Sequence, residues 1–190
     1  MMSEQVSELH RAARAYAARG MAVFPCVAGT KRPATTNGHH DASTDPAQVD
    51  AWWSEDPSFN IGWNPASVGC CIIDTDGRQG EDALMDLQIE HGELPATQTI
   101  GTPRGGRHQV FTGELPSTVQ KFAPKVDTRG SGTGYGLLPP SMTPDGSYVW
   151  QDDREPAELP AWPAAVLEKR RCPPATAPAG LELDTPANIG

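Results

Sequence analysis

The run Ile72-Ile73-Asp74-Thr75-Asp76-Gly77 carries a buried-strand pattern into two carboxylates, and strand alternation places Asp74 and Asp76 on the same side of a sheet. Like charges so placed repel. A hard divalent cation relieves the repulsion, because Mg²⁺ prefers oxygen ligands and usually takes only one or two protein carboxylates with phosphates and water. The same residues also suit a strand-ending turn, since Asp-Gly is a good turn pair. In Pro103-Arg104-Gly105-Gly106-Arg107-His108, two glycines permit close backbone approach to a ligand, and three donor side chains stand beside them. Such a loop suits phosphate, or it is a hairpin turn with solvated arginines. In Lys125-Val126-Asp127-Thr128-Arg129-Gly130, Asp127 supplies a third carboxylate and Arg129 a charged donor, ahead of a glycine-rich run ending at Tyr135. This is not a dinucleotide-binding fingerprint, which needs a glycine turn that opens a helix. Here the chain continues through Leu137 and Leu138 into Pro139 and Pro140.

Charge ties these stretches together. The chain has 15 Lys and Arg against 24 Asp and Glu, a net charge of -9, yet residues 101–130 carry +3 and the remainder -12. A locally basic segment beside three acidic metal-ligand candidates is what a polyphosphate substrate with bound metal requires. The overall negative charge argues against an obligate polybasic DNA wrapper or a membrane-surface protein.

The elements that must hold these residues follow from periodicity. Leu9, Ala13, Tyr16 and Ala17 recur at helical spacing up to Gly20, and a strand over Met21 to Pro25 follows. Val27 to Thr44 is polar and predicts a long loop, with Lys31 and Arg32 in it and His39 and His40 as loop-fixing or exposed residues. Asp45 then Pro46 starts a short helix bearing Val49, Trp52 and Trp53. Phe59 to Trp63 and Val68 to Asp74 read as strands, the second central, and Gly80 to His91 as a helix. Thr97 to Thr102 and Arg107 to Thr112 form a hairpin, after which comes a polar connection. Tyr135 to Leu138 and Ser147 to Trp150 are strands around the turn Pro139 to Gly146, and Trp162 to Arg171 is a last helix. The three tryptophans Trp52, Trp53 and Trp63 are expected in the core. No βαβα rhythm appears, so the fold class is α+β around a largely antiparallel sheet.

At 190 residues, with 19 Gly and 19 Pro, the length suits one domain rich in turns. Residues 1–171 are expected to form it, and 172–190, rich in Pro and Ala, a disordered tail or linker. Cys26, Cys70, Cys71 and Cys172 include no Cys-x-x-Cys pair, so buried free thiols are expected rather than zinc or disulfides. Without a membrane-length apolar run or a signal-peptide core, a cytoplasmic protein with no membrane partner is expected.

The order of motifs resembles the bifunctional primase-polymerase domain of the archaeo-eukaryotic primase superfamily, which occurs in phages and plasmids. The resemblance rests on Asp74-Thr75-Asp76, Gly105-Gly106-Arg107-His108, Val126-Asp127 with Arg129-Gly130, and Gly134-Tyr135 running to Pro139-Pro140-Ser141. Upstream, Val23-Phe24-Pro25, Gly29-Thr30-Lys31-Arg32-Pro33, Trp52-Trp53 and Asn60-Ile61-Gly62 extend it, so it covers about Glu8 to Trp150. It implies an RNA-recognition-like catalytic core with a small N-terminal α/β portion. It further implies that Asp74, Asp76 and Asp127 hold two Mg²⁺ or Mn²⁺ ions and that His108 binds the nucleotide phosphates. Where the superfamily often has Ser two places before the histidine, this chain has Gly106.

The expected reaction is template-directed nucleotidyl transfer by a DNA primase or polymerase, with two cations about 3.5–4 Å apart. Asp74, Asp76, Asp127 and His108 are the expected catalytic residues. Arg129, Gly105, Gly106, Arg107 and Lys31 join His108 in nucleotide binding. The partners are single-stranded or primed DNA and an NTP or dNTP, with a helicase domain in the same polypeptide as a further expectation. Two alternatives stay open. A phosphohydrolase with Asp74 as nucleophile predicts a large parallel sheet, and a non-catalytic DNA-binding replication module predicts DNA retention without incorporation.

Overall fold

The computed structural model describes residues 6–132 and 134–171. The expected tail, with Cys172, lies outside the described residues. Helix α1 (Glu8–Ala18) starts where Ser7 accepts from the His10 amide at 3.1 Å. Strand β1 (Val23–Cys26), helix α2 (Pro46–Glu55), capped by Asp45, and strand β2 (Asn60–Trp63) complete the N-terminal portion. Then come β3 (Cys70–Thr75), α3 (Gly77–His91), β4 (Gln98–Gly101), β5 (Arg107–Thr112), β6 (Thr118–Ala123) and β7 (Val126–Arg129). The remaining elements are β8 (Gly136–Leu138), β9 (Met142–Thr143), β10 (Gly146–Ser147), β11 (Val149–Asp152), β12 (Ala157–Glu158) and α4 (Trp162–Arg171).

The large sheet has the order β11-β4-β5-β3-β7-β6, all neighbours antiparallel, and β12 adds a parallel pair at the end of β5. Helix α3 carries the chain from β3 over to β4, so the inner order β4-β5-β3-β7 is that of an RNA-recognition-like sheet in an α+β fold. A second sheet, β1-β2-β8, stands against one face of the first.

Alternation along β3 creates both cores. Cys70 and Ile72 enter a cluster shared with α1, α2 and the smaller sheet, while Cys71 and Ile73 enter one shared with α3 and α4. Trp53 and Trp63 are fully buried in the first, and Trp52 packs against it. Cys26, Cys70 and Cys71 are buried free thiols.

Three local expectations change. The polar connection after the hairpin contains β6 and β7. The strands flanking Pro139 to Gly146 do not pair with each other: β8 joins β2, whereas β11 joins β4. Helix α3 begins at Gly77, three residues earlier than periodicity places it, because the open backbone of Gly77 at φ 59° lets the chain turn straight out of β3.

Candidate active site

The apolar face of β3 ends in a carboxylate. Below Asp74 on that face lies Ile72, fully buried, and the register sets Asp74 opposite His108 of β5 on one side and Asp127 of β7 on the other. The three functional groups therefore come from neighbouring strands of one sheet face, where the first core opens to solvent. Arg129, two residues beyond Asp127, shares the face.

Arg129 joins the acids. Its Nε and Nη2 donate to Asp74 Oδ2 at 3.0 and 2.9 Å, and Nη2 also donates to Asp127 Oδ2 at 3.1 Å. The other Asp127 oxygen accepts from the backbone N–H of Gln120 on β6 at 2.9 Å. Burial by itself would lower the Arg129 pKa. The charge and hydrogen bonds of Asp74, with Asp127 behind it, outweigh burial and raise it, so the guanidinium stays charged.

His108 is buried, with Nε2 3.4 Å from Asp74 Oδ1. Burial pushes its pKa below the usual imidazole value, against the pull of Asp74, and the Arg129 and Lys31 charges act in the same direction as burial. Burial thus favours the uncharged ring, which has one N–H to donate. Among the described residues its Nδ1 has no partner, and neither does the Trp63 indole N–H. Both atoms face Gly136, where a side chain would meet them within 3.5 Å.

Lys31 reaches the site from the long loop. Asn60 Nδ2 holds Thr30 O at 2.9 Å and Tyr135 Oη donates to Lys31 O at 3.1 Å, fixing the loop backbone. The Lys31 ammonium stands 5.9 Å above the Tyr148 ring, itself 5.8 Å from the His108 ring. Lys31, Asp76, Thr102, Arg104, Asp145 and Tyr148 line a polar cleft of about 200 Å³. His39 stacks between His40 and Tyr135 on the same loop, as a loop-fixing residue would.

The fold thus brings Asp74, Asp127, His108 and Arg129 together, with Lys31 and Asp76 at the adjoining cleft. Asp76 is exposed at the start of α3 and acts on His108 only through its charge. Arg107 is not brought in. Alternation turns it to the opposite face, where Glu81 and Thr75 bind it in a closed network. Gly105 spends its N–H on Thr102 O at 3.0 Å, inside the turn. Gly106 has a packing reason: a Cβ there would collide with Thr75 O and crowd the Gly77 amide. That contact accounts for the missing serine, since any side chain at 106 meets the end of β3. Tyr148 was not among the residues singled out from sequence; one tyrosine between exposed neighbours carries no periodic signal.

Among the described residues, no group of three or more His, Cys, Asp or Glu side chains is arranged to hold a metal ion. The donor chemistry of Asp74 and Asp127 nonetheless fits a hard cation. Both offer carboxylate oxygens on one face, and the Arg129 guanidinium already stands between them as a cation.

The sheet is antiparallel except at β12, which removes the parallel architecture required by the phosphohydrolase alternative. No helix among the described residues is long and apolar enough to cross a membrane. The family model described as bifunctional DNA primase/polymerase, N-terminal, matches residues 13–162. No curated protein matches the chain.

Proposed function

The chain belongs to the bifunctional DNA primase/polymerase family, with a role in DNA replication, and from that premise we propose template-directed nucleotidyl transfer at the Asp74–Asp127 cleft. The observation that carries the reading is the cross-strand register: Asp74 lies directly between His108 and Asp127. A 3′-hydroxyl oxygen bonds to the α-phosphorus of an incoming triphosphate, and the bond to the β-phosphate oxygen breaks, releasing pyrophosphate. Asp74, Asp127 and Asp76 would hold divalent cations, which would supply charge stabilisation for the attacking and leaving oxygens.

The protein's own groups have separable tasks. Asp74 is held by the Arg129 Nε and Nη2 donors, so its oxygens have a fixed direction before substrate arrives. Asp127 is held likewise by Gln120 and Arg129. His108, neutral, donates one hydrogen bond to a phosphate oxygen. Lys31, the exposed cation at the cleft, meets the negative tail of the triphosphate, and Tyr148 sets its height. Replication of a phage or plasmid, with a helicase in the same polypeptide, is the context that the sequence resemblance supports for this reaction.

Primer extension with labelled nucleotide tests the reading. Asp74→Asn and Asp127→Asn keep the side-chain shape and are expected to abolish incorporation with Mg²⁺ or Mn²⁺ while circular dichroism stays unchanged. His108→Ala is expected to raise the nucleotide KM. Full incorporation by either Asn variant removes the acids from the chemistry, and DNA retention without incorporation by the wild type makes the chain a binding module.

A further inference from the structure

Across the sheet from the carboxylates, β6 and α4 enclose a hollow of about 550 Å³. Ser117, Thr118 and Lys121 line one wall, Leu167, Arg170 and Arg171 the other, and among the described residues no carboxylate lines it. Three cations without an acid are notable in a chain of net charge -9. One of them is built in: Arg170 Nη1 donates to the main-chain oxygens of Phe122 and Lys121, which pins its guanidinium to the strand. Lys121 and Arg171 are exposed. Ser117 Oγ accepts from the Gly130 amide at 3.1 Å and keeps its own hydrogen to donate. Fixed cations with a hydroxyl donor are the groups that contact phosphodiester oxygens, whereas bases ask for stacking rings or paired donors and acceptors.

The hollow is connected to the site. Strand β6 is the free edge of the large sheet, and its Gln120 amide, adjacent to Lys121, holds Asp127. Asp74 lies on β3, two strands in from that edge, or roughly 10 Å at about 4.8 Å per strand spacing. A strand leaving the carboxylates past Asp127 crosses β6, the last strand of the sheet, and rounds the edge onto Ser117 and Lys121.

We propose that the β6–α4 hollow is a backbone-binding groove for the single-stranded part of the template, gripping its phosphates without reading bases. This inference rests on the nucleotidyl-transfer reading and names where that reaction's template runs. Neither Lys121 nor Arg171 belongs to the catalytic machinery.

The test is binding of a fluorescein-labelled single-stranded oligonucleotide by anisotropy across a salt series, with Lys121→Glu/Arg171→Glu, Lys121→Gln alone, and the exposed control Arg11→Glu on α1. The double variant is expected to lose about tenfold or more in affinity, and its salt slope to fall by about 1.4, roughly 0.7 for each lost single-strand phosphate contact. Lys121→Gln is expected to lose part of this and Arg11→Glu nothing. In primer extension the double variant is expected to raise the template KM and leave kcat unchanged at saturating template. Unchanged affinity and slope in both β6–α4 variants, or an equal loss in Arg11→Glu, overturns the groove. If the wild type extends primers while these variants keep its template KM, the groove fails and the reaction stands. If the wild type incorporates nothing but the variants lose oligonucleotide, the reaction fails and the hollow survives as a strand-binding surface.

Discussion

Replacing Arg129 by methionine keeps the length of the side chain and removes the cation that Asp74 and Asp127 share. The two carboxyl side chains are only 14% and 20% exposed, so water replaces the lost partner incompletely. Removing one member of a fully buried pair costs about 3–5 kcal/mol, an exposed pair contributes about 0–1 kcal/mol, and the intermediate burial here places the loss near 2 kcal/mol. For a domain of this size that corresponds to a Tm lower by about 4–8 °C in metal-free buffer. Divalent cation should then act with opposite weight on the two proteins. The bare carboxylate pair in Arg129→Met binds Mn²⁺ without competition from a guanidinium, so Mn²⁺ is expected to raise the Tm of the variant more than that of the wild type. Scanning fluorimetry with and without Mn²⁺ measures both effects. A variant as stable as the wild type without metal shows that the Arg129 contacts carry no net stability. Equal Mn²⁺ shifts show that Arg129 does not compete for the acids, and either result refutes the electrostatic account of the site.

Other substitutions probe the surroundings. Gly106→Ala drives a Cβ into the end of β3 and is expected to cost about 1–3 kcal/mol, read as a lower urea midpoint; an unchanged midpoint shows that the turn yields freely. Tyr148→Phe removes the hydroxyl on which the Lys31 charge acts while keeping the ring beneath the ammonium, and is expected to raise the triphosphate KM with little change in Tm. A KM equal to that of the wild type separates Lys31 from the tyrosine. Burial pushes the Cys26 and Cys71 thiols up to about 12, so neither forms thiolate at pH 8 in the native protein. Both should resist Ellman's reagent until denaturant returns them to the ordinary thiol range near 8.5, and rapid native labelling of either contradicts their burial.

Much of the scaffold was legible in the chain. The apolar run from Val68 to Asp74 marked the central strand, helical spacing marked α1, and the Asp45-Pro46 pair marked the start of α2, because each signal lies within a few neighbouring residues. Arg107 and His108 both read as nucleotide-binding donors in the chain; the structure sends them to opposite faces of β5 and shows Glu81 binding the arginine on the far side. Strands β6 and β7 were hidden for two local reasons. Gln120 at φ 51° and a register shift interrupt the period of β6, and β7 has only four residues, whose outward-facing pair is Asp127 and Arg129. What tertiary structure alone decided is the electrostatic state of the site. Sequence supplied three acids, a histidine and an arginine as separate motifs; cross-strand pairing put one guanidinium between two of the acids and buried the imidazole, which favours its uncharged form. Strand periodicity is a property of adjacent residues, whereas the partner across a ladder and the depth of burial depend on segments far apart in the chain.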